Sequence, residues 1–248
     1  MNIQYHANYL LQHIICIVLC TTFSYAQQKE LSTIEKNRLL NSKMSNSGEK
    51  DALELNYILT EIYQKGINDS TYARISSFQK KYPDTIYRPL IDEALQRREP
   101  FKRGKTAPLF CLYDSLGAKY CLNQFKGKVV YIDFWIHYCS PCIANMKLIE
   151  ENFLQEKKLA NNVFFININM DKDRQEWIKA LKKHKLSGIQ LWCGQSREQI
   201  KNDYDIAGLP LALLIDKNGN IYQYNPPLAR INNGEFLKKL LLSVSNEL

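Results

Sequence analysis

The sequence has 248 residues, 45% of them hydrophobic, and a formal charge of +8. That is enough apolar material for a packed core in one large domain or two small ones, and it excludes an intrinsically disordered chain. Lysines and arginines are spread along the chain with no basic stripe interleaved with aromatics, so the charge reads as a solvated surface and not as a nucleic-acid interface.

Residues 1–26 contain no Asp, Glu, Lys or Arg, and Ile14-Ile15-Cys16-Ile17-Val18-Leu19 forms a short apolar run. Ser24-Tyr25-Ala26 then offers small residues at both positions a signal peptidase reads, so 1–26 is expected to be a signal peptide cut after Ala26. The mature chain would then be exported and periplasmic. The n-region holds only His6 and the amino terminus, which leaves an uncleaved membrane anchor as the alternative. The run is short against the roughly 20 residues a spanning helix needs. Lipid attachment at Cys20 is disfavoured because Leu19 stands where a small residue is required. Cleavage leaves Cys111, Cys121, Cys139, Cys142 and Cys193, in a compartment that permits disulfides.

Residues 27–100 read as a small helical region without chemistry of its own. Leu55, Ile58, Leu59, Ile62 and Tyr63 recur at helical spacing. Ser70 is placed to cap a second helix running through Phe78, with Pro83 beyond its end, and Pro89–Leu95 makes a third. Arg97 to Thr106, charged and holding Pro100 and Gly104, reads as a linker.

From about residue 105 to 248 strands and helices alternate. Leu109–Tyr113 and Ala118–Leu122 are strand-like around an Asp114-Ser115-Leu116-Gly117 turn. Val129–Trp135 is a near-continuous apolar run, as expected for a strand buried on both faces. Ile143, Met146, Ile149 and Phe153 mark a helix, Val163–Ile168 a second buried strand, Arg174–Leu186 a second helix and Gln190–Trp192 a short strand. Leu211–Ile215 and Ile221–Tyr224 form a hairpin around Asn218-Gly219, and Phe236–Leu242 closes as a helix. The order predicts an α/β fold with a mixed central sheet flanked by helices.

Cys139-Ser140-Pro141-Cys142 stands between the buried strand and the helix after it. Cysteines three apart in a first helical turn share a face, so their sulfurs can bond with little strain. The free N–H groups and dipole of the helix start favour a thiolate at Cys139. Pro141 loses no hydrogen bond in that turn. Cys139 is expected to attack a partner disulfide and Cys142 to resolve the mixed disulfide. Zinc would require a second ligand pair close by, whereas Cys111 and Cys121 lie in a different element. Haem attachment would require His where Ile143 stands. A permanently closed structural disulfide remains the plain alternative.

Ala107-Pro108-x-Phe110, Phe125-x-Gly127-Lys128-Val129-Val130, Asp133-Phe134-Trp135, the cysteine motif, Gly208-Leu209-Pro210 and Leu214-Ile215-Asp216-x-x-Gly219 occur in that order. Over about residues 105–248 this set resembles the exported thioredoxin-like reductases of the TlpA/ResA type. The resemblance implies a thioredoxin-like fold and dithiol–disulfide exchange with client proteins, fed by a membrane or exported electron donor. The chain is expected to be a monomer with no cofactor and no metal. The resemblance matches Pro210 to a cis-proline that guides the client backbone, with Leu209, Trp135 and Tyr138 around it. It matches Asp133 to a buried acid that takes and returns the proton of Cys142, a role that burial would suit by raising the carboxyl pKa. A solvated edge position is the alternative for Asp133. Tyr138 stands where the family usually has Trp, and Ser140 where it has Gly or Glu. With no His between the cysteines, the pair leans toward a reductant. His137 reads as a solvated loop residue.

A bulge at Gly117 would set Cys111 opposite Cys121, close enough for a structural disulfide, whereas a register slip of one residue would separate them. Cys193 has no evident partner and reads as a buried or half-buried thiol. A non-catalytic binding protein using the cleft near Pro210, and a thiol peroxidase, are the competing functions. The latter lacks a Thr in Ile136-His137-Tyr138.

Overall fold

The computed structural model describes residues 47–83, 88–153, 159 and 161–246, in two compact units. The leader with Cys16, Cys20 and Ala26, and the start of the helical region, lie outside the described residues.

In the first unit α1 (Ser47–Lys65), α2 (Asp69–Lys81) and α3 (Arg88–Arg98) bring together Leu55, Ile58, Ile62, Ile75, Phe78, Ile91 and Ala94. Their spacing of three and four puts them on single helical faces, and that shared apolar face holds the helices. The cap of α2 differs from expectation. Asn68 Oδ1 accepts the Thr71 N–H at 3.1 Å, while Ser70 donates its hydroxyl to that same oxygen. Asn68 has extended backbone, which an N-cap requires, and Ser70 already lies inside the first turn.

From Arg97 the chain belongs to the second unit, and the segment read as a linker is packed. Arg98 is buried, paired with Asp205, and its guanidinium lies 4.3 Å from the Tyr224 ring centre. Phe101 is buried against the same ring. Charge and Pro alone mimic a linker, but a long side chain can carry its charge to a distant carboxylate.

Among the described residues the second unit holds a seven-stranded mixed sheet. Its strands are β1 (Cys111–Asp114), β2 (Lys119–Cys121), β3 (Val129–Trp135), β4 (Val163–Asn169), β5 (Ile189–Trp192), β6 (Leu211–Ile215) and β7 (Ile221–Tyr224), in the order β2-β1-β5-β4-β3-β6-β7. β3, β4 and β5 are parallel, while β1, β2, β6 and β7 join antiparallel. Among the described residues, the α-helices α4 (Ser140–Asn152), α5 (Arg174–His184), α6 (Arg197–Asp203) and α7 (Glu235–Asn246) accompany the sheet. The short α6 was not expected, because seven residues give too little periodicity to read.

The central strand β3 is buried along its whole length. Side chains alternate between its faces. Val130, Ile132 and Phe134 enter one core with Ile200 of α6 and Tyr204 at its end. Val129 and Tyr131 enter the other with Ile149 of α4 and Leu237, Leu241 and Val244 of α7. Asp133 shares the parity of Tyr131 and so points toward the α4 side. Each large apolar residue buried this way contributes about 1.5–3 kcal/mol, which is why a charged residue at 133 is conspicuous.

Candidate active site

β3 delivers the chain to its carboxyl end at Trp135, and α4 opens five residues later at Ser140. The sulfurs of Cys139 and Cys142 are bonded, with Cα atoms 5.3 Å apart. Cys139 is the N-cap of α4, and its Sγ accepts the Cys142 N–H at 3.3 Å. Cys139 is 8% exposed and Cys142 fully buried. The outer sulfur therefore sits at the positive end of the helix, with a backbone donor already aimed at it.

The Leu209–Pro210 peptide is cis. β6 runs antiparallel to β3 with Phe134 opposite Leu211, which brings Pro210 level with Trp135 beside the cysteine loop. Leu209, Ile136 and Trp192 pack on the apolar cluster of Trp135, Cys139, Cys142, Ile143, Met146 and Trp177. Tyr138 projects into solvent at 72% exposure.

Asp133 is fully buried. Its Oδ2 accepts the side-chain amide of Asn145 at 2.6 Å, while Oδ1 has no hydrogen-bond partner among the described residues. Desolvation raises its pKa to about 7 against the opposing pull of the Asn145 bond. Asn145 is one turn beyond Cys142 on α4, so residues 142 and 145 share a face and Asp133 lies beneath that turn. The Asn145 orientation is fixed: its Oδ1 accepts the Ala229 N–H at 2.6 Å, so its Nδ2 must turn to the acid. The Tyr131 hydroxyl lies 3.4 Å from that Nδ2. Asn145 and Ala229 were missed in the sequence. The one available signal was a carboxamide on the apolar face that Cys142 and Ile149 define. Removing it with Asn145→Ala should raise the Asp133 pKa further, which carboxyl NMR titration would read directly. An unchanged or lowered value would contradict this arrangement.

His137 is not merely solvated. Its N–H donates to Asp171 Oδ2 at 2.9 Å and its Nδ1 lies 2.8 Å from Oδ1. Asn169 Nδ2 also donates to Oδ2 at 2.8 Å. The solvated reading failed because Asp171, 34 residues away, follows the adjacent strand β4.

Cys111 and Cys121 face each other in β1 and β2 with their sulfurs bonded. Gly117, at φ 90, allows the bulge that makes Asp114 N–H donate to Ala118 O at 2.9 Å. This disulfide sits at the sheet edge, apart from the redox loop. Cys193 is free and buried, and its burial pushes the thiol pKa up to about 12, which makes it a poor nucleophile.

A vicinal cysteine pair at the mouth of a helix, following the central strand of a mixed sheet and beside a cis-proline loop, defines a thioredoxin-fold dithiol–disulfide centre. A family model described as thioredoxin-like matches residues 127–221. The thiol-disulfide oxidoreductase ResA of Geobacillus kaustophilus is 31% identical over 121 residues, covering 48% of this chain and 67% of that protein. ResA of Bacillus thuringiensis subsp. konkukian is 32% identical over 127 residues, covering 51% and 71%. A thiol-disulfide oxidoreductase structure from Bacteroides vulgatus superposes with TM-score 0.52 at 29% identity, covering 58% of this chain and 98% of its own. A DsbE-type thiol:disulfide interchange structure from Chlorobium tepidum gives 0.51 at 26%, covering 59% and 99%. The chain belongs to the TlpA/ResA-type thioredoxin-like family and is a thiol–disulfide oxidoreductase.

Proposed function

We propose that this chain is an exported reductant of protein disulfides, acting as a monomer. The observation that carries the reading is the Cys142 N–H aimed at Cys139 Sγ at the start of α4. In the reduced state that donor and the helix dipole hold a Cys139 thiolate. The thiolate attacks one sulfur of a client disulfide, forming the Cys139–client bond and releasing the client's other sulfur as thiolate. Cys142 gives its proton to Asp133 Oδ1 and attacks Cys139 Sγ. The mixed disulfide breaks, the client leaves as a dithiol, and Cys139–Cys142 is left oxidised. A membrane or exported dithiol donor returns the two electrons. Pro210, with Leu209, Trp135 and Tyr138 around it, positions the client backbone.

The direction of flow rests on what holds the thiolate. Ser140 and Pro141 bring no cation between the cysteines, so only the helix start favours the reduced form. Export is supported by the uncharged residues 1–26 with their apolar run, and by the exposed edge position of Cys111, whose disulfide persists only in an oxidising compartment. Among the described residues no helix is long and apolar enough to cross a membrane.

Equilibration against a glutathione series tests the direction. A potential below about −200 mV together with reduction of insulin is expected, whereas a value near the roughly −120 mV of DsbA would make the protein an oxidant.

A further inference from the structure

A hollow of about 420 Å³ opens beside the redox loop. It lies at the carboxyl ends of β3, β4 and β5, where open α/β sheets place their ligands. Each strand end contributes a wall: Ile136 and Tyr138 after β3, Asp171 and Lys172 after β4, Arg197 after β5, and Leu209 from the loop leading into β6. Lys201 of α6 completes it. Ile136 and Leu209 also pack on the cluster that contains Cys139, so the hollow and the disulfide share walls.

Its charge is lopsided. Lys172, Arg197 and Lys201 line it against one acid, Asp171. Both oxygens of Asp171 are already occupied, Oδ1 by the His137 ring and Oδ2 by the His137 N–H and Asn169. Arg197 is held in place by donating Nε to Met170 O at 2.8 Å, with one Nη on the exposed Glu198. Lys172 and Lys201 are exposed and make no ion pair among the described residues. Two free ammonium groups over an apolar floor fit an extended chain that carries a carboxylate.

We propose that this hollow selects clients bearing an Asp or Glu side chain next to the disulfide to be reduced. The inference rests on the reading of protein disulfides as substrates and names their class. The client's cysteine meets Cys139 while the neighbouring acidic side chain reaches Lys172 and Lys201. Its apolar stem lies on Leu209 and Ile136.

The test uses three disulfide-linked peptides that differ only in having Glu, Gln or Lys on both sides of the cysteine. The reduced full-length protein is expected to reduce the Glu peptide about three- to tenfold faster in kcat/KM than the Lys peptide, with Gln between, as two exposed charge pairs would give. The gap should close in 0.5 M salt, where screening falls to a few ångströms. In Lys172→Glu/Lys201→Glu the order should invert, a gain of preference that a misfolded variant would not show. Equal rates for the three peptides with wild type, or an order unchanged in the double variant, would overturn the proposal. If the Gln peptide is reduced while the preference is missing, only the selectivity fails. If none of the three is reduced, the protein-disulfide reading fails, and the selectivity with it.

Discussion

Cys139→Ser is expected to reduce disulfide-reductase activity by roughly a thousandfold or more, to the level of free thiol, because no other sulfur among the described residues can replace the nucleophile. The other cysteines among the described residues offer no substitute. Cys142 is fully buried, Cys193 is buried with its pKa raised, and Cys111 and Cys121 are bonded to each other at the sheet edge. Cys142→Ser should fail in a different way. The Cys139 thiolate still has its helix start, so it still attacks, but no second thiol resolves the adduct. The variant should accumulate as a covalent complex with one client molecule, visible as a mass increase that dithiothreitol removes. Two variants with the same complete loss of attack would contradict the assignment of separate roles to the two sulfurs.

Asp133→Asn should stabilise the oxidised protein in the alkaline range and remove most of its pH dependence. The folded carboxyl has its pKa raised to about 7, whereas in the unfolded chain it returns to its ordinary 3.8. Between those values the native state holds a proton that the unfolded state has lost. Folding is therefore favoured fully below about pH 4, and that contribution is lost as pH rises through 7. A difference of about three units corresponds to roughly 4 kcal/mol at pH 8. Urea denaturation of the oxidised protein from pH 4 to 8 should show the wild type losing stability across this window. The variant should lie close to wild type at pH 4 and above it at pH 8. Equal slopes in the two proteins would falsify the buried-acid reading. The gain in stability should come with slower release of the mixed disulfide near neutral pH, because the proton of Cys142 has lost its acceptor. Stopped-flow reduction of a single client disulfide separates that resolving step from the attack.

All three variants act on groups that are legible in the sequence. Val129–Trp135 could be read as a doubly buried strand because all of its residues but Asp133 are apolar or aromatic. The cysteine pair could be read because three residues of helix suffice to place both sulfurs. The Leu211–Ile215 and Ile221–Tyr224 hairpin was legible from Asn218-Gly219, where Gly219 takes φ 84 and Asp216 Oδ1 accepts the N–H groups of Asn218 and Asn220 at 2.9 Å. Each of these is a local signal, confined to a few residues and enforced by backbone sterics or by one buried face.

The sequence alone thus determined a mixed sheet, a helix-capped cysteine pair and an acid in a buried strand, since hydrophobic period and turn chemistry act over short spans. The tertiary structure decided what surrounds them. Asn145 reaches Asp133 across 12 residues and Ala229 across 84, and Asp171 reaches His137 across 34. Arg98 finds Asp205 across 107. No periodicity encodes such pairs. They exist because folding brings separate strands, loops and helix turns together, and buried polar groups must then find whatever partner lies within reach.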